Sequence, residues 1–171
     1  MSEFWHHYHK KVWKKKHMEY LTERQLEGDS RLAIDFDFRY DTSIKERQHT
    51  EEHITDAIGE LCKLLNKHLI IEAGNSFEVY VFEKPNLNCL DDITKDGIHV
   101  IVNINVPVLF KMVLWQELWP KLSVCWEDLP ITNSWESVLD KGVFEGGTNW
   151  QVFGSRKPLH EAYALKYNYV V

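Results

Sequence analysis

The stretch Arg31-Leu-Ala-Ile-Asp-Phe-Asp-Phe-Arg-Tyr40 is the most informative part of this chain. It follows the turn signal Gly28-Asp-Ser30 and predicts a β-strand over residues 31–38. Side chains two residues apart on a strand project from the same face, with Cα atoms about 6.6 Å apart, so Asp35 and Asp37 can converge on one point. Carboxylate oxygens are the ligands that hard divalent cations prefer, although acidic pairs are also common at solvated strand edges.

Length and composition predict one domain in a reducing environment. The chain has 171 residues, of which 44% are hydrophobic and 13% aromatic, enough to bury a core. No apolar run reaches the roughly 18 residues of a membrane span, and the N-terminus lacks the apolar segment of a secretory signal. Three widely spaced cysteines argue against a disulfide framework and against a zinc site, so we expect free thiols and an intracellular location: Cys62, Cys89 and Cys125.

The charge distribution divides the chain into a basic arm (residues 1–30) and an acidic body (residues 31–171). The net charge is −6, yet residues 1–16 carry five lysines against one glutamate, which leaves 15 basic and 25 acidic residues in the stretch 17–171. Such a body excludes general attraction to nucleic acid, because phosphate binding depends on basic side chains. Contact with nucleic acid therefore has to be local, or bridged by metal ions.

The arm interleaves lysines with aromatic rings, a combination that suits a single-stranded nucleic acid. No clean helical or strand periodicity accompanies them. Packing of the rings against the body, with the lysines merely solvated, explains the pattern equally well. The candidate nucleic-acid contacts are Lys10, Lys11, Lys14, Lys15, Lys16 and Trp13, with Trp5 and Tyr8 as further rings.

Periodicity in the body predicts two helices among several strands. Apolar residues recur at helical spacing over residues 44–69 and 106–119. Together with the first strand, these elements give the order β-α-β-β-α-β of ferredoxin-like and RNA-recognition folds, in which the first and third strands are neighbours. A short helix, a Gly-Gly turn and two terminal strands follow. We expect one α+β domain with a mostly antiparallel sheet flanked by helices, and with further strands at residues 77–83, 97–104, 122–126, 150–153 and 162–171.

Three further motifs complete a set that can process phosphates: Gly97-Ile-His99, Asp140 and Gly154-Ser-Arg-Lys157. Three carboxylates can hold two cations about 3.5–4 Å apart, the arrangement used for in-line displacement at phosphorus. An imidazole and a basic turn suit a triphosphate. Each motif also has a purely structural explanation: a core histidine, a helix end and an ordinary hairpin turn. No G-x-x-x-x-G-K-[ST] loop occurs, so P-loop chemistry is unsupported.

In this order, the motifs resemble those of the archaeo-eukaryotic primases of the primase-polymerase superfamily. The similarity extends over about residues 31–158 and is greatest to the primase domains of viral primase-helicases from nucleocytoplasmic large DNA viruses. One departure is Gly97, where the family often has serine. The similar segments are Ile34-Asp-Phe-Asp37, Gly97-Ile-His99, Val138-Leu-Asp-Lys-Gly-Val143 and Val152-Phe-Gly-Ser-Arg-Lys-Pro158.

The resemblance implies a primase-polymerase core acting as a DNA primase in DNA replication, with template-directed nucleotidyl transfer from nucleoside triphosphates. It implies a two-metal site for Mg²⁺ or Mn²⁺, with Asp35 and Asp37 holding both ions and Asp140 completing the one near the attacking 3′-hydroxyl. Nucleotide binding falls to His99, Ser155, Arg156, Lys157 and, as a further contact to nucleotide or template, Arg39.

The same resemblance implies a single-stranded DNA template and primer, and a fused or associated helicase. The chain would then be a fragment of a longer primase-helicase that works in the viral replication compartment of the host cell. Two alternatives stay open on the residues alone. One is another two-metal phosphoryl-transfer enzyme, such as a nuclease, and the other is a non-catalytic module that binds single-stranded nucleic acid.

Overall fold

Two long antiparallel strands form the centre of the structure. The computed structural model describes residues 2–25, 28–71 and 74–171. In chain order the elements are α1 (Glu3–Tyr8) with a π-helical continuation (His9–Lys14), β1 (Thr22–Glu23), β2 (Ser30–Tyr40), α2 (Glu51–His68), β3 (Glu78–Glu83), β4 (Asn88–Cys89), β5 (Thr94–Val106), α3 (Val108–Cys125), α4 (Trp135–Val138), α5 (Lys141–Phe144), β6 (Trp150–Gln151) and β7 (Ala164–Val170).

The large sheet has the strand order β2-β5-β3-β7, with β4 pairing alongside β5, and all neighbours are antiparallel. The small sheet pairs β1 with β6. The first and third core strands, β2 and β5, are therefore neighbours, as the ferredoxin-like order predicts. Their register places Asp35 opposite His99 and Asp37 opposite Gly97. The predicted α+β class with a mostly antiparallel sheet is confirmed.

Strict alternation along β2 gives the sheet one apolar face and one open face. Its even-numbered side chains, from Leu32 to Tyr40, are buried beneath α2 and α3, while Asp35 and Asp37 project from the other face. Each fully buried large apolar side chain contributes about 1.5–3 kcal/mol to folding. The side chains of the open face are thus held in place by a hydrophobic core of which they form no part.

One predicted element is wrong, and one predicted helix begins later than expected. Residues 122–126 are not a strand, because Leu114, Leu118 and Leu122 continue the helical spacing and bury the last turns of α3 in the core. A short apolar run cannot by itself distinguish strand from helix. In place of the fourth ferredoxin-like strand, a single bridge joins Leu139 to Phe36 on the outer edge of β2. Helix α2 begins at Glu51 rather than at residue 44.

The N-terminal arm is helical and packs on the body. Tyr8 and Val12 are buried against Val152, whereas Phe4, Trp5 and the lysines of the helix remain exposed. Residues 1, 26 and 27 of the arm predicted over residues 1–30 lie outside the described residues. Among the helices of the described ranges, none is long and apolar enough to cross a membrane.

Candidate active site

Three aspartates meet on the open face of the large sheet. Asp35 and Asp37 project from β2, and Asp140 lies between α4 and α5. One carboxylate oxygen from each lies within 4.8 Å of the other two. Oxygen ligands at this separation can share a divalent cation. The structure therefore brings together all three carboxylates that the motifs suggested.

The position of Asp140 is set by the segment that closes the edge of β2. Its backbone N–H donates to the Asp35 carbonyl (3.0 Å), and the Trp115 indole N–H donates to the Leu139 carbonyl (2.8 Å). One carboxylate oxygen of Asp140 accepts the N–H of Gly142 (2.8 Å) and caps α5. Asp140 is thus fixed by main-chain and side-chain contacts before any ligand binds.

The negative charge of the trio is only partly offset by Lys157 and His99. Burial, and then the charges of Asp35 and Asp140, raise the pKa of Asp37 to about 6, against a smaller lowering by Lys157 and His99. Among the described residues, the buried Oδ1 of Asp35 has no hydrogen-bond partner. An orphaned buried acceptor is costly. A hard cation such as Mg²⁺ or Mn²⁺ would satisfy it, and the all-oxygen donor set fits these ions.

His99 is buried, but its polar edge faces the trio. Its Nε2 lies 3.4 Å from Asp35 Oδ1. Its ring stacks on Tyr163, with centroids 3.5 Å apart and planes at 19°, and lies against Trp150 at 4.4 Å. The two aromatic rings hold the imidazole at a fixed place beside Asp35. The ring is therefore packed like a core residue while its nitrogen edge stays directed at the site.

The basic turn contributes its members unequally. Lys157 is exposed, and its charge acts on Asp37. Arg156 is half-buried, and its backbone N–H donates to the Glu19 carbonyl (2.9 Å). Among the described residues, the buried Arg156 Nε lacks a hydrogen-bond partner. Of the turn, Lys157 is the residue that the structure places in electrostatic contact with the trio.

Ser155 ties the arm to the body. It is only 2% exposed. Its hydroxyl oxygen lies 2.9 Å from the Tyr8 hydroxyl and accepts the N–H of Leu21 (3.2 Å). These contacts use the group that the resemblance assigns to a nucleotide. In this structure the Ser155 side chain therefore contacts the arm rather than the trio.

The remaining predicted residues lie at the surface. Arg39 is exposed on the face of β2 that carries Asp37. Trp13 is half-buried and packs on Phe153, with ring centroids 4.6 Å apart. Gly154, at φ 92°, allows the arm to pack this closely on the turn, because a Cβ there would come within 2.9 Å of Val12 and 3.2 Å of Trp13. The lysines of the arm are all exposed: Lys10, Lys11, Lys14, Lys15 and Lys16.

Several residues of the site had no sequence motif. Tyr163 and Trp150 border His99, and the Nζ of Lys84 lies 4.8 Å from the Tyr163 ring centroid. Lys84 directly follows β3, the strand beside the one that carries His99, so strand order was the one available signal. Tyr163 comes from the distant segment before β7, which no local pattern could connect with the site.

An ionic network lies behind the site, on the helix-covered face. Arg47 donates two hydrogen bonds to Asp96 (2.9 and 3.0 Å) and one to Glu83 (2.6 Å). His49 Nε2 lies 2.9 Å from Glu83. Asp96 in turn accepts the N–H of Gly97 (2.9 Å). The network therefore fixes the backbone of β5 directly opposite Asp37.

Comparison with known proteins agrees with this geometry. A family model described as the C962R protein N-terminal AEP domain matches residues 1–169. Over 129 residues the chain is 30% identical to L207/L206 of Acanthamoeba polyphaga mimivirus, a protein named as a helicase. This alignment covers 74% of the chain but only 13% of that relative's length. The chain belongs to the archaeo-eukaryotic primase family, in the branch of the C962R N-terminal domain.

Family membership confirms the resemblance inferred from the motifs and sets the class of chemistry. Archaeo-eukaryotic primase domains are primase-polymerase modules, so membership of the family implies nucleotidyltransferase-type activity. The family generally uses divalent metals, and the acidic trio is the group of described residues able to hold them.

Proposed function

We propose that this domain is a DNA primase that makes short primers on single-stranded DNA from nucleoside triphosphates. The observation that carries the proposal is the convergence of Asp35, Asp37 and Asp140, one of them with a buried unpaired oxygen. His99 and Lys157 stand beside this trio. Carboxylates, an imidazole and an ammonium in one site suit the transfer of a nucleotide from its triphosphate.

The carboxylates prepare the site for cations. Asp35 and Asp37 would hold Mg²⁺ or Mn²⁺, and Asp140 would complete the ligand set of one ion. Bound cations would neutralise the triphosphate and lower the pKa of the attacking 3′-hydroxyl. Because the trio is already assembled, little reorganisation is needed when the substrate arrives.

His99 and Lys157 would orient the triphosphate. The stacking of His99 on Tyr163 and Trp150 leaves its nitrogen edge as the part able to reach a phosphate oxygen. A donor held this way loses little entropy on binding, which favours alignment of the reacting atoms. Lys157 is exposed and able to move toward the phosphates, where it would add a charge-assisted hydrogen bond.

The arm would contact the template strand. Its lysines are in solvent, and Phe4 and Trp5 of the same arm are about half exposed. Exposed cations beside exposed rings suit a single strand with little sequence preference. Because Tyr8 and Val12 pack on the body, charge removal tests this role more cleanly than deletion. Lysine-to-glutamine changes at residues 10, 11, 14, 15 and 16 should weaken DNA binding and flatten its salt dependence, whereas Lys63→Gln should not.

A helicase is the expected partner of this domain. The mimivirus relative is named as a helicase, and the chain corresponds to 13% of its length. We propose that the domain synthesises primers beside such a helicase, in the replication compartment of a virus. A longer protein containing this domain should therefore couple nucleotide-driven unwinding to primer synthesis.

Primer synthesis is the direct test of the function. The protein is incubated with single-stranded DNA, Mg²⁺ or Mn²⁺ and labelled nucleotides, and the products are separated by length. Short products that depend on template and metal are expected. Cleavage of the DNA without nucleotide incorporation would point instead to a nuclease. Binding of DNA with no metal-dependent reaction would point to a non-catalytic module.

A further inference from the structure

Lys84 is a half-buried cation in the wall of the site. We propose that Lys84 binds the triphosphate of the incoming nucleotide, together with Lys157. The inference rests on the proposed function and adds a residue for which neither the motifs nor the family comparison provides a role.

Lys84 reaches the site through a chain of contacts. Its Nζ lies 4.8 Å from the centroid of the Tyr163 ring. The same ring stacks on His99, whose Nε2 lies 3.4 Å from Asp35 Oδ1. One aromatic ring therefore connects the ammonium of Lys84 to the imidazole that faces the carboxylates. A phosphate held by His99 would lie within reach of a lysine side chain at this place.

Lys84 has no counter-ion of its own in the described structure. Arg47 and Lys67 each bond a carboxylate, at 2.6 Å in both cases. Among the residues described, no carboxylate oxygen lies within 4 Å of the Lys84 ammonium, whose recorded contact is the Tyr163 ring. Burial, and then the charge of Lys157, lower the pKa of Lys84, and the charges of Asp35, Asp37 and Asp96 only partly offset this lowering. A bound anion would supply the missing compensation.

The main chain around Lys84 is held firmly. The Arg47 guanidinium donates to the Lys84 carbonyl (2.8 Å). Asn86 lies two residues after Lys84. Its backbone N–H and its side-chain amide both donate to the Glu161 carboxylate, each at 2.9 Å. The backbone is therefore preorganised from both sides, while the side chain keeps an open end toward the site. Such an arrangement is typical of a binding lysine rather than of a mobile surface lysine.

Other cations gather on the same side of the trio. The N–H of His160 donates to the carbonyl of Lys157 (3.0 Å), which folds the basic turn back on itself. Burial and then the charges of Lys84, Lys157 and Lys95 lower the pKa of His160. The ammonium groups of Lys84 and Lys157 are thus close enough to the carboxylates of the trio for their charges to interact. A polyanion that brings divalent cations with it satisfies both groups, and a nucleoside triphosphate is such a ligand.

Equilibrium binding to the full chain tests the inference. The ligand is a non-hydrolysable nucleoside triphosphate with Ca²⁺, and affinity is measured by isothermal titration calorimetry. Lys84→Met keeps the apolar stem over Tyr163 and removes the charge, so we expect binding about tenfold weaker. Lys84→Arg should restore most of the affinity. Lys166→Met is the matched control, because Lys166 lies 5.7 Å from the Tyr167 ring centroid on the outer strand.

The outcomes separate this inference from the proposed function. Unchanged triphosphate binding by Lys84→Met, with the wild type binding normally, would overturn the role of Lys84 and leave the primase proposal intact. The same holds if Lys84→Met weakens binding of single-stranded DNA but not of the triphosphate. Failure of the wild type itself to bind the triphosphate would overturn both. Melting temperatures within about two degrees of wild type show that the variants are folded.

Discussion

Two groups of carboxylates lie on opposite faces of the same sheet, and they differ in how far neighbouring cations compensate their charges. On the helix-covered face, Glu83 and Asp96 are buried and fully engaged by Arg47 and His49. On the open face, only His99 lies at ion-pair distance from the aspartate trio among the described residues, 3.4 Å from Asp35 Oδ1, and that oxygen has no hydrogen-bond partner there. Asp96 is nevertheless the sequence neighbour of Gly97, which pairs with Asp37.

The difference distinguishes structural charges from functional ones. A buried, hydrogen-bonded ion pair is broken only at a large cost, so the network behind the site stiffens the strands. Like charges left uncompensated cost stability and are retained where a ligand neutralises them. We infer that the inner network preserves the backbone geometry that the outer trio needs.

The largest effect is expected from removing the trio's charges. Asp35→Ala/Asp37→Ala should reduce nucleotide incorporation by about 10²–10³-fold or more, since charge compensation of the triphosphate is lost. Its melting temperature without metal should equal or exceed that of wild type, because repulsion between the carboxylates is relieved. Primer synthesis and thermal unfolding measure the two quantities. The control is Asp91→Ala/Asp92→Ala, an exposed pair away from the site. Wild-type synthesis by the first variant would refute the assignment.

The reverse pattern is expected on the inner face. Arg47→Met leaves the buried Glu83 and Asp96 without their cation, so the free energy of unfolding should fall by about 3–5 kcal/mol. Urea unfolding measures this loss. Arg39→Met, on the exposed side of β2, should change stability by less than about 0.5 kcal/mol. Similar losses for the two arginine variants would mean that the network does not stabilise the fold.

Gly97 lies where the two faces meet, and it tolerates no side chain. A Cβ at this position would come within 2.8 Å of the Phe36 carbonyl oxygen and 3.0 Å of the Tyr163 hydroxyl. Gly97→Ala should therefore force β5 away from β2, with a loss of about 1–3 kcal/mol in stability and a fall in nucleotide incorporation. Gly59→Ala, in α2 with open space around it, is the control and should be neutral or stabilising. A fully stable and active Gly97→Ala would contradict the close packing at the site.

Asp37 should have a smaller effect, on the pH dependence of stability, when a chelator keeps the protein free of metal. The pKa of Asp37 is raised from 3.8 to about 6, so its ionisation destabilises the native state as pH rises through that range. Asp37→Asn should stabilise the protein above pH 6 by about 1 kcal/mol, because solvent screens part of the effect, and should have no effect below about pH 4.

Glu83 should show the opposite sign. Burial raises the pKa of Glu83, but the His49 hydrogen bond and the Arg47 charge lower it by more, so that the pKa lies below its ordinary value of 4.5. Its contribution to stability is therefore present above pH 4.5 and is lost as pH falls through the lowered pKa. Glu83→Gln should cost stability at pH 7 and progressively less in acid. Parallel pH profiles for the Asp37 and Glu83 variants would contradict the distinction between the two faces.

The sequence was most informative where the signal was local or periodic. Alternation along β2 predicted the paired aspartates, and the β-α-β-β-α-β order predicted that the strand of His99 would lie beside β2, whereas the register that places His99 opposite Asp35 came from the structure. Helix α3 was partly missed, since the apolar run at residues 122–126 suits a strand equally well. Lys84 and Tyr163 were missed because strands distant in the chain bring them together. The contact between Tyr8 and Ser155 could not be predicted, because the sequence around Tyr8 shows no helical or strand periodicity.

Binding of Mn²⁺ by the chain alone tests the central claim most directly, because it asks whether the uncompensated trio is a cation site. Isothermal titration calorimetry at pH 7.5 would compare the wild type, Asp35→Ala/Asp37→Ala and the control Asp91→Ala/Asp92→Ala. We expect the wild type and the control to bind Mn²⁺ with equal affinity, with a matching rise in melting temperature as Mn²⁺ is added. The site variant should show neither. Equal Mn²⁺ binding by all three proteins, or by none, would contradict the account.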